Sequence, residues 1–211
     1  MSQPVNPPRR RYRSSVRAEQ ARLTRQRILE VAKALFVERG YASTTIAAVA
    51  DAAGVSPETI YATLSGKRGL LEGVIDAMIP VPAEQDATLA EIERLASPRA
   101  RLRAFVAYCC GVLSGTSPIH EVIRGAADSE AFAIELRARL LSERLANQKR
   151  HLAQHVRLEP RAGLTLAQAA ERFCALTSPE LHHLTIVELG WSRQRHEKWI
   201  GDLAECELLG A

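Results

Sequence analysis

The stretch GVSPETIYATLSGKRGLL, residues 54–71, places hydroxyls and a cation on a segment too short to bury much by itself. Ser56 and Pro57 suit a helix start, as cap and first helical residue, and Ser65-Gly66 suits its stop. Ile60 and Leu64, one turn apart, face inward, which leaves Glu58, Thr59, Ala62 and Thr63 outward. Short polar side chains on an exposed helix can approach base edges closely, and a DNA major groove admits one helix. Tyr61 offers a hydroxyl to a phosphate, Lys67 a charge-assisted contact, and Thr45 a hydroxyl from the preceding helix. The bland alternative is an ordinary helical hairpin.

Other chemistry-bearing residues form weaker patterns. Arg9, Arg10, Arg11 and Arg13 precede the first acidic residue, Glu19. They suit an arm that reaches a narrow minor groove or adds only nonspecific attraction. His151 and His155 stand one turn apart, a zinc-compatible spacing without a third ligand, so a solvated pair is the simpler reading. His182 and His183 point to different sides, and an interface role for one suits them better than metal. Adjacent Cys109 and Cys110 diverge by about 100° on a helix, which fits core packing better than redox sensing. There is no GxSxG, HExxH, Walker or GxGxxG motif, so neither an enzyme, a metal nor a cofactor is expected.

These residues need helices to position them. The chain has 211 residues, 46% of them apolar and 5% aromatic. Helical periodicity recurs throughout without strand alternation, so the fold is expected to be all-α. Residues 1–17 are expected to be a flexible basic arm. Ile28, Val31, Ala32, Leu35 and Phe36 mark a first helix ending near Gly40. Ile46, Val49, Ala50 and Ala53 mark a second, which Gly54 stops, and Leu70, Leu71, Val74, Ile75 and Met78 mark a fourth. A helix-turn-helix domain over 18–80 and a helical domain over 81–211 follow. In the latter, helices are expected around Leu89 to Leu95, from Pro98, from Ser117, over 129–155, and after caps at Thr165, Ser178 and Ser192.

Charge divides the same way. Net charge is +4, but residues 1–80 hold 12 Lys/Arg against 7 Asp/Glu, and the remainder 16 against 17. A basic end on a neutral body suggests a polyanion partner. No apolar run is long enough to span a bilayer, and the N-terminus does not look secretory.

The segment RQRILEVAKALFVERGYASTTIAAVADAAGVSPETIYATLSGKRGLL resembles the N-terminal domain of the tetracycline-repressor (TetR) family of bacterial transcriptional regulators, through its LF…GY…TT entry, IAAVADAAGVS support helix and TIY…K…LL. Weaker resemblance continues in EVIRGAA, SERLANQKRHLAQ and the C-terminal LTSPELHHLTIVELGWSRQRHEKWIGDL. The resemblance implies a three-helix DNA-binding domain and an effector-binding, dimerising C-terminal domain. It implies a cytoplasmic homodimeric repressor, released from a palindromic double-stranded operator by an apolar or mixed small molecule. Ser56, Pro57, Glu58, Thr59, Tyr61, Thr63, Lys67 and Thr45 fall on the family's DNA-facing positions. Leu64 stands where the family usually has an aromatic residue, and Thr63 where it often has His. Expected ligand residues are Phe105, Tyr108, Cys109, Val112, His120, Phe132 and Phe173. Leu181, Leu184, Val187, Trp199 and Leu203 are expected at the dimer surface. The alternatives are an effector-independent activator, an architectural DNA binder, or a helical ligand-binding module that does not bind DNA.

Overall fold

The computed structural model describes residues 9–78 and 82–209, with side chains for residues 17–78 and 84–209. Ten α-helices and one π-helical segment make up these residues, with no strand among them. The chain divides into two compact units, residues 1–77 and 78–211.

The first unit contains α1 (Arg9–Ser43), α2 (Ile46–Ala53), α3 (Pro57–Leu64) and α4 (Lys67–Met78). Helix α1 corrects one expectation, because residues 9–17 are helical and no arm precedes the helix within the described residues. This part of α1 lacks an apolar stripe, so periodicity could not reveal it. Five of its nine residues are Arg, which favours helix, and just beyond it Glu19 holds Arg22 at 2.7 Å one turn on. The core-facing part begins at Ile28 and continues through Ala32, Leu35 and Phe36, all buried. Gly40 breaks the helix in a left-handed conformation (φ 77°), as its lack of a Cβ permits. The buried Thr44 hydroxyl then donates to the Gly40 carbonyl at 2.8 Å, satisfying an acceptor the break exposes.

The second unit contains α5 (Pro82–Glu93), α6 (Pro98–Ala127), α7 (Ala131–Gln154), α8 (Leu166–Leu176), α9 (Pro179–His182) and α10 (Arg193–Leu208). The caps at Ser97, Thr165, Ser178 and Ser192 all form, each side chain accepting from a backbone N–H three residues on. Thr165 and Gln168 complete a capping box. No separate helix starts at Ser117, however. α6 runs on through Pro118 because Leu113, Ser117, Ile119, Val122 and Ile123 continue one buried stripe across it. That burial outweighs the backbone bond proline cannot make. Leu95 lies beyond α5 and is exposed. Residues 183–188 wind as a π-helix directly after α9, a local form that no residue pattern announces.

Helices α6, α7, α8 and α10 pack together around Leu102, Phe105, Val106, Leu152, Phe173 and Ile200. Arg103 ties α6 to α10 by ion pairs with Glu205 and Asp202. His151 is buried beneath Phe105, their ring centroids 5.9 Å apart. Burial, with Arg150 and His155 nearby, pushes its pKa down to about 4. An unfolded chain titrates its histidines near 6.5. Between those values the unfolded state holds the extra proton, so stability falls as pH drops from about 6.5 toward 4. Burial lowers His120, His182 and His196 in the same direction. Thermal melts from pH 7.5 to 4.5 should therefore show a steep loss of stability, and His151→Leu should flatten it. An equally steep profile in that variant would assign the acid sensitivity elsewhere.

Candidate nucleic-acid interface and ligand cavity

Helix α3 is short because both its ends are fixed by local chemistry. Gly54 closes α2 in the left-handed region, and Ser56 caps α3 by accepting from the Thr59 N–H. Pro57 occupies the first turn, where its missing N–H costs nothing. Ser65 ends the helix with φ 57°, and Gly66 follows at φ 98°. Ile60 and Leu64 are buried, so α3 has one face anchored and the other open. Ser56, Pro57, Glu58, Tyr61 and Thr63 are exposed and Thr59 half-exposed, on one continuous outer surface.

The polar atoms on this surface are partly engaged with one another. The Ser56 and Thr59 hydroxyls lie 3.2 Å apart, and Thr63 donates to the Thr59 carbonyl at 2.7 Å. Glu58 sits in the first turn, where Ser56 and the backbone hold its carboxyl below the usual range. It is therefore an anion at neutral pH, able to accept from a cytosine amino group and ill-suited to face a phosphate. Thr45 is exposed, caps α2 and accepts from the Ala48 N–H at 3.1 Å. Lys67 donates to the Ala42 carbonyl at 3.0 Å and lies 4.4 Å from the centroid of the Tyr41 ring. Its ammonium is thus held at the C-terminal end of α1. The side chains of Arg9, Arg10, Arg11 and Arg13 lie outside the described residues.

Two residues that sequence reasoning passed over hold α3 in place. A Cβ on Gly69 would lie 1.6 Å from the Leu64 carbonyl oxygen, and one on Gly73 would lie 2.9 Å from Leu29 Cδ2. Both glycines let α4 approach its neighbours. Their one-turn spacing inside a helical segment was the available signal.

Residues 28–74 match the family model described as bacterial regulatory proteins, tetR family. The first unit carries a TetR-family N-terminal domain. Among its relatives, the HTH-type transcriptional regulator TtgR of Pseudomonas putida is 38% identical over 60 residues, covering 28% of this chain and 29% of TtgR. The uncharacterized HTH-type transcriptional regulator YvkB of Bacillus subtilis (strain 168) is 41% identical over 54 residues, 26% of this chain and 29% of YvkB. The match thus spans less than a third of either relative's length. The fold likeness extends further. NalD, the secondary repressor of the MexAB-OprM multidrug efflux pump in Pseudomonas aeruginosa, superposes with a TM-score of 0.67 at 18% identity, over 89% of this chain and 98% of that one. SmeT in its triclosan complex gives 0.66 at 20% identity, over 87% and 90%.

The second unit holds a cavity of about 670 Å³ between α6, α7, α8 and α9. Of the expected ligand residues, His120 lines it. Phe105 and Phe173 instead stack on each other in the core, centroids 5.2 Å apart and planes at 11°. Tyr108 also stacks on Phe105, centroids 6.1 Å apart, and with Cys109 packs against that core. Val112 and Phe132 are half-buried outside the cavity lining. Burial pushes the Cys109 thiol up and that of Cys110 to about 12, so both stay protonated and unreactive. Leu184 and Val187 are exposed on the π-helical segment, Leu181 and Trp199 flank the core, and Leu203 is half-buried. His155 faces Glu93, and His183 lies between Glu121 and Glu188. No helix among the described residues is long and apolar enough to cross a membrane.

Proposed function

We propose that the protein is a cytoplasmic homodimeric transcriptional repressor that reads double-stranded operator DNA with α3 and is released when a small molecule enters the cavity of the second unit. The observation that carries the first half is α3 itself, anchored by Ile60 and Leu64 and offering an outer face of small polar side chains. Ser56, Tyr61 and Lys67 position the helix on phosphates, with Thr45 adding a contact from α2. Thr59, Thr63 and Glu58 meet base edges, Pro57 keeps the helix start close to the backbone, and Arg9, Arg10, Arg11 and Arg13 add basic charge beside the operator. Exposed Leu184 and Val187 support a dimer surface on the last helices, and two copies would present α3 to successive major grooves, about 34–36 Å apart. An effector acts by binding the DNA-incompetent state better than the competent one.

Titrating the full chain into duplexes taken from its own flanking DNA, at several salt concentrations, tests this reading. A palindromic duplex should bind well above an unrelated one. Lys67→Ala should weaken every sequence alike and reduce the salt slope by about 1, whereas Thr59→Ala and Thr63→Ala should change which bases are preferred. If no duplex exceeds nonspecific binding, the regulator reading is lost.

A further inference from the structure

The wall of the larger cavity is mostly apolar, contributed by Ile123, Ile134, Leu140, Leu141 and Leu145 among others. Three arginines interrupt it, and they differ in what answers them. Arg124 donates twice to Glu121, at 2.8 and 2.5 Å. Arg137 lies 3.6 Å from Glu180. Arg144 has no carboxylate partner among the described residues. Its Nη1 donates to the Thr177 carbonyl at 3.3 Å, while its Nε is closed off from solvent with no acceptor.

A guanidinium charge beside apolar wall with no counter-charge is costly unless an anion in the cavity supplies one. Its neighbours offer little compensation. His120, on the same wall, is kept neutral by burial and by Arg144 itself. Of the lining carboxylates, Glu121 and Glu180 face the other two arginines, and Glu171 is exposed on α8. Arg144 sits on α7 one turn before Gln148, whose amide donates to the Thr177 hydroxyl at 2.8 Å. Thr177 therefore braces the α7 face that carries the guanidinium, and a planar fork held in this way suits a two-oxygen anion.

We propose that this cavity binds an organic anion, its apolar or aromatic body against Ile123 and Leu141 and its carboxylate received by Arg144. The inference rests on the effector reading above and names the ligand class of the same site. Cavities of this size accommodate drug-sized molecules and commonly combine an apolar lining with a few placed polar groups.

Three probes of one shape separate the outcomes: naphthalene-1-acetate, its uncharged primary amide, and 2-(1-naphthyl)ethylammonium. They are titrated calorimetrically into the full chain at neutral pH. The acetate should bind about tenfold or more tighter than the amide, and the ammonium weakest. Arg144→Gln should abolish the acetate preference while the amide affinity stays within about twofold; Arg144→Lys should retain part of the preference. Thermal melts of both variants confirm that they fold. Equal affinity for all three probes, preference for the ammonium, or a preference that survives Arg144→Gln overturns the anion assignment alone. Binding of none of the three overturns the effector cavity as well. A second copy as occupant, seen as a dimer that Ile134→Ser dissociates and that excludes the probes, also overturns it.

Discussion

Gly69→Ala is expected to cost the first unit about 3 kcal/mol or more and to abolish sequence-specific DNA binding. On helix propensity alone the change should stabilise α4, because alanine exceeds glycine by about 1 kcal/mol. Packing decides the sign. The added Cβ would lie 1.6 Å from the Leu64 carbonyl oxygen and 2.8 Å from its carbonyl carbon. Those are backbone atoms, unable to swing aside as a side-chain tip does. Leu64 is also the last residue of α3 and is buried. Relief therefore requires α4 to retreat or the C-terminal end of α3 to lift, and either re-aims the helix that carries Thr59 and Thr63. Gly73→Ala is the matched control. Its Cβ would meet the Leu29 and Leu64 methyl groups at 2.9 and 3.1 Å, flexible side-chain ends that can shift. A loss of about 1 kcal/mol is expected there, with operator binding retained. Melting curves and duplex titrations on both variants check the order; a Gly69→Ala chain as stable as the parent would refute the close approach.

What could be read without a structure follows how local the physics is. The caps at Ser56, Thr165, Ser178 and Ser192 were legible because a hydroxyl three residues before a free N–H is a property of four consecutive residues. The same holds for Gly54, and for Ile60 and Leu64, whose spacing fixed the outward face of α3. The start of α1 was not legible, because an arginine-rich helix with no buried stripe has no periodicity to detect. Pro118 misled for the opposite reason: a local breaker was overridden by burial of Ile119, Val122 and Ile123. The spacing of Gly69 and Gly73 signals a close approach but not its partner, since Leu64 comes near Gly69 only through the Ser65-Gly66 turn. Nothing in the residues around Arg144 sets it apart from the other arginines of the chain. Only the three-dimensional wall around it shows that its Nε is shut off from solvent.

The aromatic residues expected to contact ligand give the second large effect, on stability. Phe173→Ala should lower the stability of the second unit by about 3–5 kcal/mol. Phe173 is fully buried and stacked on Phe105, in a cluster that includes Leu102, Leu152 and Ile200. Truncation leaves a void lined by side chains from four helices, which can collapse only partly. In a chain of this size each kcal/mol moves the melting temperature by roughly 2–4 °C, so the fall should reach about 10 °C. Phe105→Ala should cost a similar amount. The double variant should cost less than the sum, because the stacked pair contributes about 0.5–1.5 kcal/mol that either truncation already removes. A ring that merely lined an open cavity would behave otherwise. Its loss would enlarge space already present, leave stability nearly intact and weaken ligand binding. Core and lining positions thus separate along two measured axes, with Phe105 and Phe173 moving the melt and Arg144 moving the choice between anionic and neutral probes. A Phe173→Ala chain that melts with the parent but binds the naphthyl probes weakly would return that ring to the cavity wall.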